Sequence, residues 1–338
     1  MKKFTLISCT ILLIVSCGTC QNNKNSKDAE KAAQFAETIT QDELKEALFT
    51  YASDEFEGRK TGEPGQKKAI EFLKNHYVSL GISSPIANGD YFQKIPASYF
   101  TNDIKESENV VAYIKGTEKP DEIVIISAHL DHIGISKNGD INNGADDDGS
   151  GTVAILEIAE AFKIAADKGY GPKRSILFLH VTGEEIGLFG SRYYTEVNPI
   201  FPLANTVADL NIDMIGRVDR KHENQRNYLY LIGSDKLSQE LHDISEAVNN
   251  QYFNMEFDYT YNDENDPNRF YYRSDHYNFA KNNIPVIFYF NGTHADYHRP
   301  SDTPDKIQYD LLETRARLVF HTAWELANRD ERIKVDKK

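Results

Sequence analysis

The chain has 338 residues, with 38 Lys and Arg against 52 Asp and Glu, for a formal net charge of −14. Its 40% apolar and 27% charged content is that of a globular protein and excludes a disordered, collagen-like or multi-span membrane chain. The acidic balance argues against nucleic acid as a partner, since phosphate binding needs a basic surface, and the length allows one large domain or two at roughly 100–200 residues each.

All three cysteines, Cys9, Cys17 and Cys20, lie at the very start. The rest of the chain can therefore form neither a disulfide framework nor a cysteine-based zinc site. Lys2 and Lys3 precede an apolar run from Phe4 to Val15. That run is too short to span a bilayer as a helix but suits a signal-peptide core. It ends in Ile14-Val15-Ser16-Cys17, which resembles the bacterial lipobox. The expected organisation is a lipoprotein signal peptide over 1–16, a polar tether over 17–30 opening at a lipidated Cys17, and one domain over 31–332. The expected location is the bacterial cell envelope, anchored to the outer membrane on its periplasmic side. An ordinary cleaved signal peptide is the alternative.

After the tether the pattern turns regular. Residues 29–38 read as a helix. Thr40 and Glu43 form a capping box, followed by Leu44, Ala47, Leu48 and Tyr51 at helical spacing. The stretch 58–65 is a loop with three glycines, and a second helix carrying Ala69, Ile70, Leu73 and Tyr77 stops at Gly81. Strands and helices then alternate: neighbouring strands over 109–114 and 122–128, a helix over 152–165, and strands over 175–181, 207–212 and 228–231. A helix face follows at Leu237, Leu241, Ile244 and Val248, then a strand over 286–290 and a last helix over 304–328. Residues 263–268 read as a surface loop. The alternation implies a three-layer α/β/α domain around a central mixed, mostly parallel sheet.

Five segments place ionisable residues after apolar strands, the edge where open α/β sheets bind ligands. They are Ser127-Ala128-His129-Leu130-Asp131-His132, Gly144-Ala145-Asp146-Asp147-Asp148-Gly149-Ser150-Gly151, Thr182-Gly183-Glu184-Glu185-Ile186-Gly187, Asn211-Ile212-Asp213-Met214-Ile215-Gly216 and Thr293-His294-Ala295-Asp296-Tyr297-His298-Arg299-Pro300-Ser301-Asp302-Thr303. Singly, each has an ordinary reading as a turn, a helix cap or a hydrogen-bonded pair. Together, the clustered carboxylates repel one another unless a cation compensates. Histidine and carboxylate donors without cysteine suit a catalytic zinc site.

In this order the five segments resemble the M28 family of metallopeptidases, in which aminopeptidases carry two co-catalytic zinc ions. Ser53-Asp54-Glu55-Phe56-Glu57-Gly58-Arg59 resembles the segment that opens the family's domain. The resemblance implies a zinc-dependent exopeptidase-like fold and an aminopeptidase acting on peptides with a free N-terminus. It implies that His129 and Asp213 hold one zinc, that Glu185 and His298 hold the other, and that Asp147 bridges both. Glu184 would be the general base, and Tyr297 could donate to the developing oxyanion or be a packing tyrosine. Asp131 would orient His129 through its carboxylate, and Asp148 would support the ligands from behind, across a peptide bond that is often cis in the family.

Arg273, Asp275 and His276 are candidate substrate contacts, with helix capping as an equal reading. His132 mimics a ligand pair with His129, but the family pattern puts the ligand at His129. His294 competes with His298 for the last position, and the following Pro300-Ser301-Asp302-Thr303 favours His298. His180 reads as a satisfied core histidine. The alternatives on the same fold are a single-zinc glutaminyl cyclase and a binding lipoprotein that has lost catalysis.

Overall fold

The computed structural model describes residues 28–337. The expected signal peptide, Cys17 and nearly all of the tether lie outside the described residues. No helix among the described residues is long and apolar enough to cross a membrane.

Residues 28–36 are helical (α1). α2 (Gln41–Tyr51) starts where the sequence places its cap: the hydroxyl of Thr40 accepts the N–H of Glu43 at 3.3 Å and donates to its carboxylate at 2.6 Å. α3 (Pro64–Ser79) takes its proline at the first turn, where no intrahelical donor is lost. The strands are β1 (Phe92–Ile95), β2 (Ser107–Ile114), β3 (Lys119–His129), β4 (Arg174–Val181), β5 (Thr206–Ile212), β6 (Tyr228–Ile232), β7 (Glu256–Asp258) and β8 (Val286–Phe290). Between them run α4 (Gly151–Asp167), the short α5 (Phe189–Arg192), α6 (Gln239–Tyr252) and the short α7 (His276–Ala280), and α8 (Tyr309–Asn328) closes the chain.

The sheet order is β1-β2-β4-β3-β5-β8-β6-β7. Its centre, β4-β3-β5-β8, is parallel, while β2 and β6 run antiparallel against β4 and β8. This is the mixed, mostly parallel sheet expected, with one correction. β2 and β3 are not neighbours, because the crossover through α4 sets β4 beside β3 and leaves β2 to pair with the far edge of β4. The last helix also starts later than its apolar pattern suggests. Pro304–Lys306 is a separate 3-10 turn, and Gln308 breaks the backbone before α8.

Alternating side chains of each strand serve opposite layers. Val110, Ala112, Val124, Ile126, Ile176 and Phe178 pack on the face covered by α2, α3, α4 and α8. Val111, Ile125, Leu177 and Leu179 pack on the other face with Tyr194, Phe279 and Ile284. Each fully buried Val, Leu, Ile or Phe among them stabilises the fold by about 1.5–3 kcal/mol relative to exposure. His180 lies within β4, and its Nε2 meets the Tyr77 hydroxyl at 2.6 Å, so it is a core histidine.

Candidate metal centre

Parallel β3, β4, β5 and β8 end on one edge of the sheet, and each hands over to a loop bearing ionisable residues. His129 is the last residue of β3. Glu184 and Glu185 follow β4, Asp213 follows β5, and Tyr297 and His298 follow β8. The aspartate-rich segment differs from its expected place. Residues 144–150 follow no strand; they form the distorted first turn ahead of α4, reached by a loop from β3. Gly144 makes that turn possible. It sits at φ 55°, and a Cβ there would lie 2.3 Å from the Asp147 carbonyl and 2.5 Å from the His132 ring. The Asp147–Asp148 peptide bond is cis.

Two groups of potential ligands meet at Asp147. In the first, His129 Nε2 lies 3.2 Å from Asp147 Oδ1 and 3.6 Å from Asp213 Oδ1. In the second, His298 Nε2 lies 3.1 Å from Asp147 Oδ2 and 3.0 Å from Glu185 Oε2. His132 is the buried histidine of this second group, its Nδ1 approaching Glu185 Oε1 to 2.7 Å and Asp147 Oδ2 to 3.8 Å, while His298 reaches the same carboxylates from a partly exposed position. The family pattern sets His132 aside, and its one signal in the sequence is the His-x-x-His spacing across Asp131. His294 is elsewhere, with Nε2 at 3.1 Å from Asp146 Oδ2 and Nδ1 accepting the N–H of Asp296.

The surrounding hydrogen bonds fix these side chains. His129 Nδ1 lies 3.0 Å from the backbone carbonyl of Asp131. A carbonyl only accepts, so Nδ1 carries the proton and Nε2 offers its lone pair. This corrects the expected route through the Asp131 carboxylate, which stands 3.9 Å away. That carboxylate instead accepts the Thr61 hydroxyl at 2.6 Å and the Glu184 N–H at 3.2 Å, so it positions the strand end that carries Glu184. Asp148 accepts the N–H groups of His129, Gly151 and Met214 and thereby ties β3, α4 and the β5 loop together. Ser274 donates to Asp213 Oδ2 at 2.6 Å. Asp302 Oδ2 accepts the N–H groups of Asp146 and Asp147. Arg59 is fully buried and donates to the carbonyls of Tyr51, Leu130, Asn143 and Gly144, bracing both loops that flank the ligands.

Burial alone would raise the Asp147 pKa, but the imidazoles of His129 and His298 beside it outweigh burial and hold the carboxyl well below its usual range. Burial would likewise lower His298; Asp147 and Glu185 reverse this and push it up to about 10. Glu184 has no such partner. Burial first, then Glu185, Asp213 and Asp275, push its pKa well up. Burial and four nearby carboxylates also push Tyr297 up, so its hydroxyl stays protonated.

Glu184, Asp147, Asp213 and Tyr297 line one pocket with Met214, Phe270, Phe288, Phe290, Thr293 and Arg273. Arg273 is exposed at this pocket and stacks over the Phe270 ring at 4.8 Å. The other two candidate substrate contacts are buried. Asp275 accepts a hydrogen bond from Ser191, and His276 stacks on Phe288 behind the pocket wall. Residue type alone could not separate the exposed Arg273 from its buried neighbours.

His129 Nε2, both ring nitrogens of His132, Asp147 Oδ2 and Glu185 Oε1 are buried without a hydrogen-bond partner among the described residues. Such atoms are costly unless something fills the space between them. Imidazole and carboxylate donors around a shared aspartate fit zinc. The fold and this cradle together define an α/β domain with a candidate zinc centre at the ligand-binding edge of its sheet.

The sequence pattern described as Peptidase family M28 matches residues 109–323, and the chain belongs to that family. Among curated relatives, leupeptin-inactivating enzyme 1 of Streptomyces exfoliatus is 29% identical over 169 residues, which is 50% of this chain and 34% of the relative. A probable glutamate carboxypeptidase of Arabidopsis thaliana, AMP1, is 36% identical over 110 residues, 32% of this chain and 14% of the relative. The matches thus span about a third or less of these relatives' own length. Among solved structures, the LapA aminopeptidase of Legionella pneumophila aligns with a TM-score of 0.69 at 20% identity, covering 90% of this chain and 76% of that one. A zinc aminopeptidase of Bacillus subtilis aligns with a TM-score of 0.66 at 16% identity, covering 89% and 99%. These two likenesses establish the fold.

Proposed function

We propose that the protein is an aminopeptidase with two co-catalytic zinc ions. His129, Asp147 and Asp213 would hold one ion, and Asp147, Glu185 and His298 the other, with His132 beside them. The observation that carries this reading is the sharing of Asp147 by two buried donor groups, beside a pocket that also receives Glu184 and Tyr297. When bound, the ions supply polarisation of the scissile carbonyl and acidify the attacking water. The chain's own groups do the rest. The Glu184 carboxylate takes the water's proton and passes it to the leaving amine. The Tyr297 hydroxyl donates to the developing oxyanion. Phe270, Phe288, Phe290 and Met214 receive an apolar side chain, so leucyl or phenylalanyl substrates should exceed alanyl ones.

Metal content and hydrolysis of aminoacyl chromogenic substrates, with and without an N-acetyl block, test this together. Two zinc ions and activity confined to free amines are expected. One zinc with cyclisation of an N-terminal glutamine would overturn it in favour of the cyclase. A carboxypeptidase is the second reading, drawn from Arg273 at the pocket as a receiver of a substrate carboxylate. It requires cleavage of N-blocked peptides and none of C-terminal amides.

The lipobox supports a further part of the reading, that Cys17 is lipidated and the domain is tethered to the periplasmic face of the outer membrane. Cys17→Ala should release the protein from the membrane fraction.

A further inference from the structure

Away from the catalytic pocket, one more group of three potential metal donors stands among the described residues. His76 on α3 and Glu157 and Glu160 on α4 offer ligand atoms within 4.8 Å of one another. Glu157 and Glu160 are three residues apart, so both leave the same face of α4. His76 meets them from the last turn of α3.

The surroundings make this cluster unusual. α4 is a core helix, and Val153, Ile155, Leu156, Ile158 and Phe162 are all buried around it. Glu157 is only 3% exposed, yet among the described residues no hydrogen bond or ion pair reaches its carboxylate. His76 Nε2 is also buried without a partner. A buried carboxylate with no counter-charge is costly, and the usual remedy is a paired cation or a metal. The neighbouring charges make matters worse. Burial first, and then Glu43 and Glu160, push the Glu157 carboxyl up to about 8. Glu160 is raised by burial and Glu43 as well. Burial lowers His76, which keeps its imidazole neutral and able to ligate.

We propose that His76, Glu157 and Glu160 bind a divalent transition cation, zinc by the chemistry of the donors, at a site separate from the catalytic centre that clamps α3 to α4. One imidazole and two carboxylates supply three ligands, and the half-buried His76 and Glu160 leave the fourth position to water. The cation neutralises Glu157 and links two helices that cover the same face of the sheet. Its role is structural, since the catalytic pocket lies beyond the ends of the strands these helices cover.

The test uses the full purified chain and variants chosen to keep the two sites apart. Zinc is counted by mass spectrometry after dialysis against buffer, and thermal melts are run with and without added zinc. His76→Gln and Glu160→Gln should each lose one equivalent of zinc and part of the zinc-dependent rise in Tm, with turnover per folded molecule unchanged. Asp147→Asn removes the shared ligand of the catalytic groups. In that background one equivalent should persist and then vanish on adding His76→Gln. This outcome is independent of whether the catalytic reading holds. Equal zinc content and equal zinc response in Asp147→Asn with and without His76→Gln would overturn the proposal, leaving Glu157 to carry a proton. Because His76 and Glu160 are half-exposed, their substitution leaves the core packing intact.

Discussion

His132 Nδ1 lies 2.7 Å from Glu185 Oε1, inside the same donor group as Asp147. The contact depends on the left-handed Gly144, whose missing side chain makes room for the His132 ring. Whether His132 ligates a cation or orients Glu185, its removal loosens one half of the centre. His132→Ala should weaken zinc binding at the Glu185 position by about 10–100-fold, the usual cost of losing such a support. Competition titration with a chromophoric chelator measures this directly. Binding at the His129–Asp213 position should stay unchanged, and equal affinities at both positions in the variant would contradict the role.

Glu184 shares the pocket with Asp147 and Asp213 but belongs to neither donor group. A carboxylate free of ligation can accept a proton, and an amide of the same shape cannot. Glu184→Gln should therefore keep the zinc content and Tm of the parent while kcat falls by roughly 10²–10⁴. KM should move little. Near-parental turnover in a fully loaded variant would falsify the general-base assignment.

Both the success and the limits of the sequence reading have physical causes. His129, Glu184, Glu185 and Asp213 stood out because each follows a long apolar strand at the ligand-binding edge of a parallel sheet. β1 and β7 did not, because they span four and three residues and carry no usable period. The pocket wall was hidden for another reason. Phe288 and Phe290 share a face of β8, but Phe270 reaches them from a loop whose path no local pattern encodes. The Asp131 correction is of a third kind. A sequence identifies a carboxylate beside His129, and only geometry shows that the neighbouring backbone carbonyl is nearer.

Acid should destabilise the fold through buried neutral histidines. His276 stacks on Phe288 with ring centroids 4.8 Å apart, and among the described residues neither ring nitrogen has a hydrogen bond of normal geometry. Burial pushes its pKa down to about 3, against about 6.5 in the unfolded chain. Below pH 6.5 the unfolded state therefore binds the extra proton. Stability is intact above that pH and falls as pH drops toward 3, by up to about 1.4 kcal/mol per pH unit for one such group. His180, also held at about 3, and His321, held at about 4, act with the same sign. In urea unfolding, His276→Phe should reduce the slope between pH 6.5 and 4. At pH 7.5 the variant should lie within about 1.5 kcal/mol of the parent, since one ring replaces another. An unchanged slope would assign the acid sensitivity to His180 and His321 alone.

Arg59 connects stability to the metal centre. Its guanidinium reaches four carbonyls, of which Leu130 follows the candidate ligand His129, and Asn143 and Gly144 lead into Asp147. The Tyr51 hydroxyl donates to the same Leu130 carbonyl at 2.8 Å, so that acceptor keeps one partner when Arg59 is lost. The Asn143 and Gly144 carbonyls take Arg59 at 2.7 and 2.8 Å, and of these Gly144 keeps the Gly149 N–H at 3.2 Å, so Asn143 and Tyr51 are the acceptors that lose their donor. Each buried acceptor left without a donor costs about 1–3 kcal/mol. Arg59→Met fills a similar volume and donates nothing, so it should cost on the order of 3 kcal/mol, or roughly 6–12 °C in Tm for a large domain. Zinc affinity should fall in the same variant, because the loop that presents Asp147 is no longer held against β3. Arg59→Lys should recover only part of either loss, as one ammonium cannot span carbonyls that a planar fork reaches together. Thermal melts and zinc titrations on the two variants separate these outcomes. A methionine variant that loses stability but binds zinc like the parent would show that the brace serves the fold alone.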